Sequence, residues 1–170
     1  MLSLKKQDKM DTKKEILDNV VSVLLGILFA FLFYNALGFA LGTQTPLVTV
    51  VSCSMYPELD VGDLLLLKGI KDISELKTGD DGDILVYYQE NLNKLIVHRV
   101  WEIENNTVIT WGDNNYEKDT WVTDFEEIKG KKILKLPYIG YPRIILFNLA
   151  RGTKMNKCNQ LYDHRFIEEK

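Results

Sequence analysis

The chain has 170 residues, which leaves room for one domain of ordinary size and an anchor but not for two enzymatic cores. We therefore expect one active site at most. Its 21 basic and 24 acidic residues give a net charge of −3. Because the chain has no broad basic field, we do not expect nucleic acid as a partner.

A long apolar segment lies near the N-terminus. No charged residue occurs between Asp18 and Glu58, and residues 20–41 are almost continuously apolar. At about 1.5 Å per residue, this run reaches the roughly 30 Å needed to cross a hydrocarbon core. It predicts a transmembrane anchor over residues 19–42. A cleaved secretory signal is the alternative, but the run exceeds the roughly 7 to 15 residues of such a signal's apolar region.

The distribution of basic residues predicts the orientation of this helix. Several lysines precede it, and the next basic residue after them is Lys68. Because Lys and Arg resist translocation, residues 1–18 should be cytoplasmic. Residues 43–150 should form an extracytoplasmic domain at a cell membrane, followed by a polar, peripheral tail over residues 151–170.

The part after the helix alternates short β-type runs with polar turns, which predicts a mainly β domain. Residues 123–129 are ambiguous, with a short helical turn as one alternative. The apolar segment 139–149 is too short to span a membrane, and we expect a buried strand or a segment lying on the membrane surface. The predicted strands are 47–52, 64–68, 84–88, 94–103, 107–111 and 133–136.

The two cysteines, Cys53 and Cys158, are far apart and lack a C-x-x-C spacing. This pattern indicates neither a zinc site nor a disulfide framework. A single bridge between them is conceivable outside the cell, but we expect the pair to be unbridged.

Few residues can provide nucleophilic chemistry. Among the serines, Ser52, Ser54 and Ser74 fall in the predicted extracytoplasmic part. Of the two histidines, His164 lies in the charged tail and His98 lies in a predicted strand, on the face of Ile96 and Val100. A serine needs such a base to take its proton, although a lone strand histidine is often only a core residue.

A carboxylate must also orient the histidine. Asp113 and Asp119 follow the hairpin that carries His98 and could fold back beside it. For Asp113, the alternative is a turn carboxylate that bonds local backbone amides.

Four short motifs resemble those of type I signal peptidases. Residues 51–59 (VSCSMYPEL) resemble the nucleophile motif, in which Met follows the serine and Pro comes two positions later. Residues 97–100 (VHRV) resemble the segment that carries His in the endoplasmic-reticulum, archaeal and sporulation-type branch. Residues 112–115 (GDNN), with Asp119 beyond them, look like that branch's aspartate box. Gly130-Lys131 and residues 137–141 resemble the closing strand and the segment after it.

This resemblance implies a coiled β-sheet domain behind a single N-terminal transmembrane helix, and a catalytic set of Ser54, His98 and Asp119. Ser54 would attack the scissile carbonyl, and its backbone N–H would donate to the oxyanion. The Ser52 hydroxyl would assist, and Asp113 would support the site. No cofactor or metal is implied.

Two positions depart from the family pattern. Cys53 stands where glycine is common, which places a thiol beside Ser54 and makes a cysteine nucleophile chemically conceivable. An extended segment would point the Cys53 side chain away from that of Ser54. Tyr56 replaces a frequent glutamate at a position that we expect to lie on the surface.

The implied function is removal of signal peptides from secretory preproteins after small residues, at Ala-x-Ala-like sites. The expected partners are preproteins, membrane lipid and, transiently, the protein export channel. Two alternatives use the same residues differently: a protease dedicated to a few envelope or matrix proteins, and an anchored β domain that binds ligands without catalysis.

Overall fold

The computed structural model describes residues 2–152 and residue 158, with side chains from residue 13 onward. The predicted tail, with His164, therefore lies almost entirely outside the described residues. The described chain divides into two compact units, which meet between Ala40 and Leu41.

The first unit is a single helix, α1, over Leu2–Leu41. Within the described residues, it is the one helix long and apolar enough to cross a membrane, with a mean hydropathy of 2.4 in its apolar window. Ser22 and Asn35 donate side-chain hydrogen bonds to carbonyl groups four residues earlier. These bonds give both polar side chains a hydrogen-bond partner, which lipid tails could not provide. The predicted apolar helix is confirmed, and it extends further toward the N-terminus than the apolar run.

The second unit is built around one antiparallel sheet of seven strands in the order β1-β2-β7-β3-β4-β5-β6. The predicted mainly β class is confirmed, and the sheet is not closed into a barrel. The strands are β1 (Leu47–Thr49), β2 (Leu64–Lys68), β3 (Ile84–Gln89), β4 (Lys94–Glu104), β5 (Thr107–Trp111), β6 (Thr123–Asp124) and β7 (Ile128–Leu136).

Side chains alternate between the two faces of the sheet along β3 and β4, so hydrophobic clusters form on both faces. Val86 packs on one face with Met55 and the β1–β2 residues, with Val97 against them. Leu85 and Tyr87 pack on the other face. Since Leu85 is paired with His98 in the sheet register, His98 belongs to this second face, as the alternation predicted.

Two predicted strand boundaries are wrong by more than one residue. β1 ends at Thr49 rather than at residue 52. At Val50 the N–H donates to the Asp63 carbonyl and the carbonyl accepts from the Gly62 N–H, which closes the long loop between β1 and β2. β7 begins at Ile128 rather than at residue 133, beyond a short helical turn at Phe125–Glu127. The ambiguity over residues 123–129 thus resolves into a short strand, that turn and the start of β7.

The apolar segment 139–149 is a helix, α2 (Tyr141–Arg151), and not a buried strand. Pro142 suits the first helical turn, where its missing N–H has no partner to lose. Gly152 ends the helix in the left-handed conformation that favours glycine. Ile144 is the buried residue of this helix, whereas Leu146 and Leu149 are exposed.

Candidate active site

His98 lies near the middle of β4 and contacts a carboxylate from the chain beyond β5. Its Nδ1 lies 2.6 Å from Oδ2 of Asp119, and the two side chains are only 7% and 3% exposed. An ionised carboxylate accepts but does not donate hydrogen bonds, so we assign the proton to Nδ1. That tautomer leaves Nε2 as an acceptor, which a general base requires.

Two buried hydroxyl groups hold Asp119 in this position. Thr110 donates to Asp119 Oδ2 at 2.5 Å, and Tyr87 donates to the same oxygen at 3.1 Å. The indole N–H of Trp121 donates in turn to the Tyr87 oxygen at 3.0 Å. Burial, and then the charge of Asp119, raises the pKa of Tyr87 well above its usual value. The Tyr87 hydroxyl therefore stays protonated and remains a donor.

Ser52 and Ser54 lie on the turn that follows β1, with their hydroxyl oxygens 3.3 Å apart. Within the described part of the chain, Ser52 is the hydrogen-bond partner of the Ser54 hydroxyl, and no hydrogen bond joins Ser54 to His98. The structure thus brings together two pairs, His98 with Asp119 and Ser52 with Ser54. Catalytic hydrogen bonds are often long in substrate-free enzymes and tighten when substrate binds.

The turn after β5 positions the Ser54 backbone close to β4. The Asn114 N–H donates to the Ser54 carbonyl at 2.8 Å, and the Asn114 side-chain amide donates to the preceding carbonyl at 3.1 Å. Trp111, which ends β5, is paired with Arg99. Arg99 directly follows His98, so Ser54 is held beside the part of the sheet that carries the histidine.

Gly112 permits this close contact between the turn after β5 and the serine segment, by which we mean the residues between β1 and β2 that include Ser52 and Ser54. A Cβ atom at this position would lie 2.8 Å from the Ser54 carbonyl oxygen and 2.7 Å from the Asn115 side-chain nitrogen. The Ser54 carbonyl is a backbone group and cannot move aside as the end of a flexible side chain can. Any residue larger than glycine at position 112 would therefore displace the turn or the serine.

Asp113 contacts Arg99 rather than His98. The Arg99 Nε lies 2.8 Å from Asp113 Oδ1, and a terminal nitrogen lies 2.5 Å from Oδ2. These hydrogen bonds raise the pKa of Arg99 above its usual value, although burial opposes them. The two-pronged pair braces the turn that carries Asn114. Its partner is thus a side chain, and not the local backbone amides considered from the sequence.

The far end of the serine segment is tied to β7. Lys132 contacts the Glu58 carboxylate at 2.5 Å, and Lys135 donates to the Glu58 carbonyl at 2.7 Å. Burial alone would raise the pKa of Glu58, but its hydrogen bond with Lys132 and the charges of both lysines lower it below its usual value. Glu58 therefore stays ionised and anchored.

Cys53 is bonded to Cys158, which corrects the expectation of an unbridged pair. Their Cα atoms lie 5.4 Å apart although 105 positions separate them in sequence. The contact is made by the tertiary fold, so no local spacing could indicate it. The bond also removes the thiol that was considered as a nucleophile. It ties the residue before Ser54 to a position beyond α2.

A groove of about 270 Å³ opens beside the two serines. Ser52 and Ser54 line it together with apolar side chains of β1, of the following turn and of β4, including Val48, Leu95 and Val97. Val97 lies on the opposite face of β4 from His98. The groove therefore presents hydroxyl groups against an apolar wall.

Three residues of this arrangement were missed by the sequence reasoning. Tyr87 and Thr110 could have been found only with the strand register, because each lies on a strand whose pattern indicates no more than core packing. Asn114 stands inside the aspartate box, but its contact with the serine segment depends on the fold. Ser74 lies apart from the two pairs, on a short helical turn at Ile73–Glu75.

Comparison with known proteins identifies the family. No protein-family model matches the chain. The chain is 32% identical over 128 residues to the signal peptidase complex catalytic subunit SEC11 of Pyricularia oryzae, covering 69% of this chain and 73% of that protein. It is also 32% identical over 149 residues to SEC11 of Tuber melanosporum, covering 78% and 80%. With SEC11 of Scheffersomyces stipitis, the identity is 30% over 129 residues, covering 69% and 75%.

A β-sheet domain with a buried His–Asp pair beside a serine turn fits a serine endopeptidase. With relatives of this identity and coverage, the chain belongs to the type I signal peptidase family, alongside the SEC11 catalytic subunits. The resemblance first noted in the sequence motifs is thereby confirmed, and the protein is a hydrolase.

Removing a donor to Asp119 should slow cleavage while substrate binding changes little. We expect Tyr87→Phe and Thr110→Val each to lower kcat about ten- to hundredfold, since a hydrogen bond to a charged group contributes about 1.5–3 kcal/mol. Kinetics of signal-peptide cleavage would measure the effect. The matched control is Tyr88→Phe, because the Tyr88 hydroxyl donates to Asn93 on the surface. A loss of kcat in the control as large as in Tyr87→Phe would contradict this account.

Replacing either cysteine of the disulfide should lower the stability by the same amount. We expect Cys53→Ala, Cys158→Ala and the double variant to lose about 2–5 kcal/mol in the free energy of unfolding. Urea unfolding in detergent would measure it. A dithiol reductant should lower the stability of the wild type and leave that of the double variant unchanged. Single variants with clearly different stabilities would contradict the pairing.

Proposed function

We propose that the chain is a membrane-bound serine endopeptidase that removes signal peptides from secretory preproteins, with Ser54 as nucleophile and His98 as base. The observation that carries this proposal is the 2.6 Å contact between His98 Nδ1 and Asp119. It leaves Nε2 able to take the Ser54 proton and later return it to the leaving amine. Asp119 orients the imidazole and stabilises its charged form.

The serine turn supplies the remaining chemistry. As Ser54 attacks the scissile carbonyl, its own backbone N–H donates to the developing oxyanion. The Ser52 hydroxyl, 3.3 Å from that of Ser54, is near enough to assist. Asp113 acts indirectly, because its pair with Arg99 braces the turn that holds the Ser54 carbonyl.

The groove and the sheet edge suit an extended peptide. β1 is the terminal strand in the sheet order, so no described strand pairs with its outer edge. A peptide added there would use backbone hydrogen bonds for affinity and would place its side chains against the apolar groove. As the family resemblance implies, shallow pockets there accept small residues before the cleaved bond, which is the requirement of an Ala-x-Ala site.

We further propose the domain organisation and location. Residues 1–18 are cytoplasmic, residues 19–42 span the cell membrane, residues 43–150 form the extracytoplasmic protease domain and residues 151–170 form a peripheral tail. The lysines before α1 support this orientation. Tethering beside the lipid raises the effective concentration of a weakly bound preprotein. The export channel is a transient neighbour, and further subunits are expected because the relatives are catalytic subunits of a signal peptidase complex.

The proposal is tested by cleavage of a preprotein with an Ala-x-Ala site. We expect Ser54→Ala and His98→Ala each to lower kcat at least a thousandfold, since a nucleophile and its base act as one unit. Ser74→Ala is the matched control, because Ser74 is an exposed serine of the same domain. It should cleave as the wild type does.

Three results would count against the proposal. Cleavage by Ser54→Ala at the wild-type rate would exclude the assigned nucleophile. A wild type inactive on several preproteins but active on one envelope or matrix protein would favour a narrow clientele. A wild type that binds these proteins and cleaves none would favour a binding domain.

A further inference from the structure

Two residues with cationic side chains are among those that line the groove beside the serines. Lys94 and Arg143 line it together with Ser52 and Ser54. The groove-lining residues of the described chain include no carboxylate. A local excess of two positive charges therefore faces the site in a chain whose net charge is −3.

The backbone at Lys94 is fixed by the sheet. Lys94 is the first residue of β4 and is paired with Gln89 at the end of β3. Leu95 and Val97, which follow along β4, also line the groove. Lys94 is thus held at an ordered strand end, where it lines the groove next to Leu95.

The backbone at Arg143 is fixed by the packing of α2 against β1. The Gly140 N–H, just before α2, donates to the Gly62 carbonyl at 2.8 Å. A Cβ atom at Gly140 would lie 2.4 Å from the Thr49 methyl group, so only glycine allows this approach. Arg143 lies in the first turn of the helix seated there. Its position beside the groove is therefore set by close backbone contacts.

No side chain of the described residues forms an ion pair with either cation. The ion pairs of the described residues involve other bases, namely His98, Arg99, Lys118, Lys131 and Lys132. Lys94 and Arg143 form none of them. Both charges remain available to a bound peptide.

We propose that Lys94 and Arg143 are specificity-determining residues that make the enzyme prefer substrates with an acidic side chain within a few residues of the cleaved bond. This inference rests on the proposed function. An extended peptide advances about 3.3 Å per residue, so both long side chains reach neighbouring substrate positions. The apolar wall reduces solvent screening of the pair, but the exposed cations limit the preference to about two- to fivefold.

The test uses peptides with one Ala-x-Ala site and either Glu or Gln at each flanking position in turn. The ratio of kcat/KM for Glu over Gln is measured for the full chain in detergent. At one or more positions the wild-type ratio should be about two to five, and it should fall toward one in high salt. It should be one in the double variant Lys94→Gln/Arg143→Gln. Lys94→Glu/Arg143→Glu should prefer Lys over Gln at the same position.

The matched control is Lys71→Gln/Lys77→Gln, which removes two exposed positive charges outside the groove. Its Glu over Gln ratio should equal that of the wild type. A wild-type ratio of one at every position would overturn the inference, and so would a ratio that survives in Lys94→Gln/Arg143→Gln. A double variant that loses only binding to anionic lipid vesicles would also overturn it, because the cations would then serve the membrane.

A second readout separates this inference from the proposed function. Binding of the Glu and Gln peptides to Ser54→Ala, followed by fluorescence anisotropy, measures groove preference without cleavage. Tighter binding of the Glu peptide, lost on adding Lys94→Gln/Arg143→Gln, would support the inference even if the wild type cleaved neither peptide. Equal binding of both peptides would overturn it while leaving the protease assignment intact.

Discussion

The site depends on the convergence of three donors on one oxygen of Asp119. His98, Thr110 and Tyr87 all hydrogen-bond to Oδ2, and each comes from a different strand. The sheet must therefore be assembled before the histidine has a defined tautomer. Burial strengthens these bonds because little water competes for the carboxylate. The same burial makes the loss of any one donor costly.

The serine reaches this part of the sheet by a separate route. Its segment is excluded from the strands, since β1 ends at Thr49, and it is held by contacts at both ends. Asn114 binds the Ser54 carbonyl, Lys132 binds Glu58 farther along, and the disulfide fixes Cys53, the residue before Ser54. Ser54 and His98 thus belong to different parts of the fold, and their relative position depends on the turn braced by Arg99.

Much of this architecture could be predicted, because local patterns determine it. The apolar helix followed from run length, and β2 and β5 were predicted with their observed ends. The α2 helix was not, because eleven apolar-rich residues with an early proline suit a helix as well as a strand. The contacts of Tyr87 and Thr110 with Asp119 depend on strand register. The Cys53–Cys158 bond depends on the chain folding back to the serine segment after α2. No local sequence pattern encodes either feature.

Asp119, and not Asp113, contacts His98, and we propose that it orients His98 for catalysis. The most direct measurement compares kcat for signal-peptide cleavage in Asp119→Asn and Asp113→Asn. The account predicts a loss of about 10⁴-fold in Asp119→Asn, because an amide favours the wrong imidazole tautomer. The loss in Asp113→Asn should be far smaller. Equal losses in the two variants, or a larger loss in Asp113→Asn, would contradict the account.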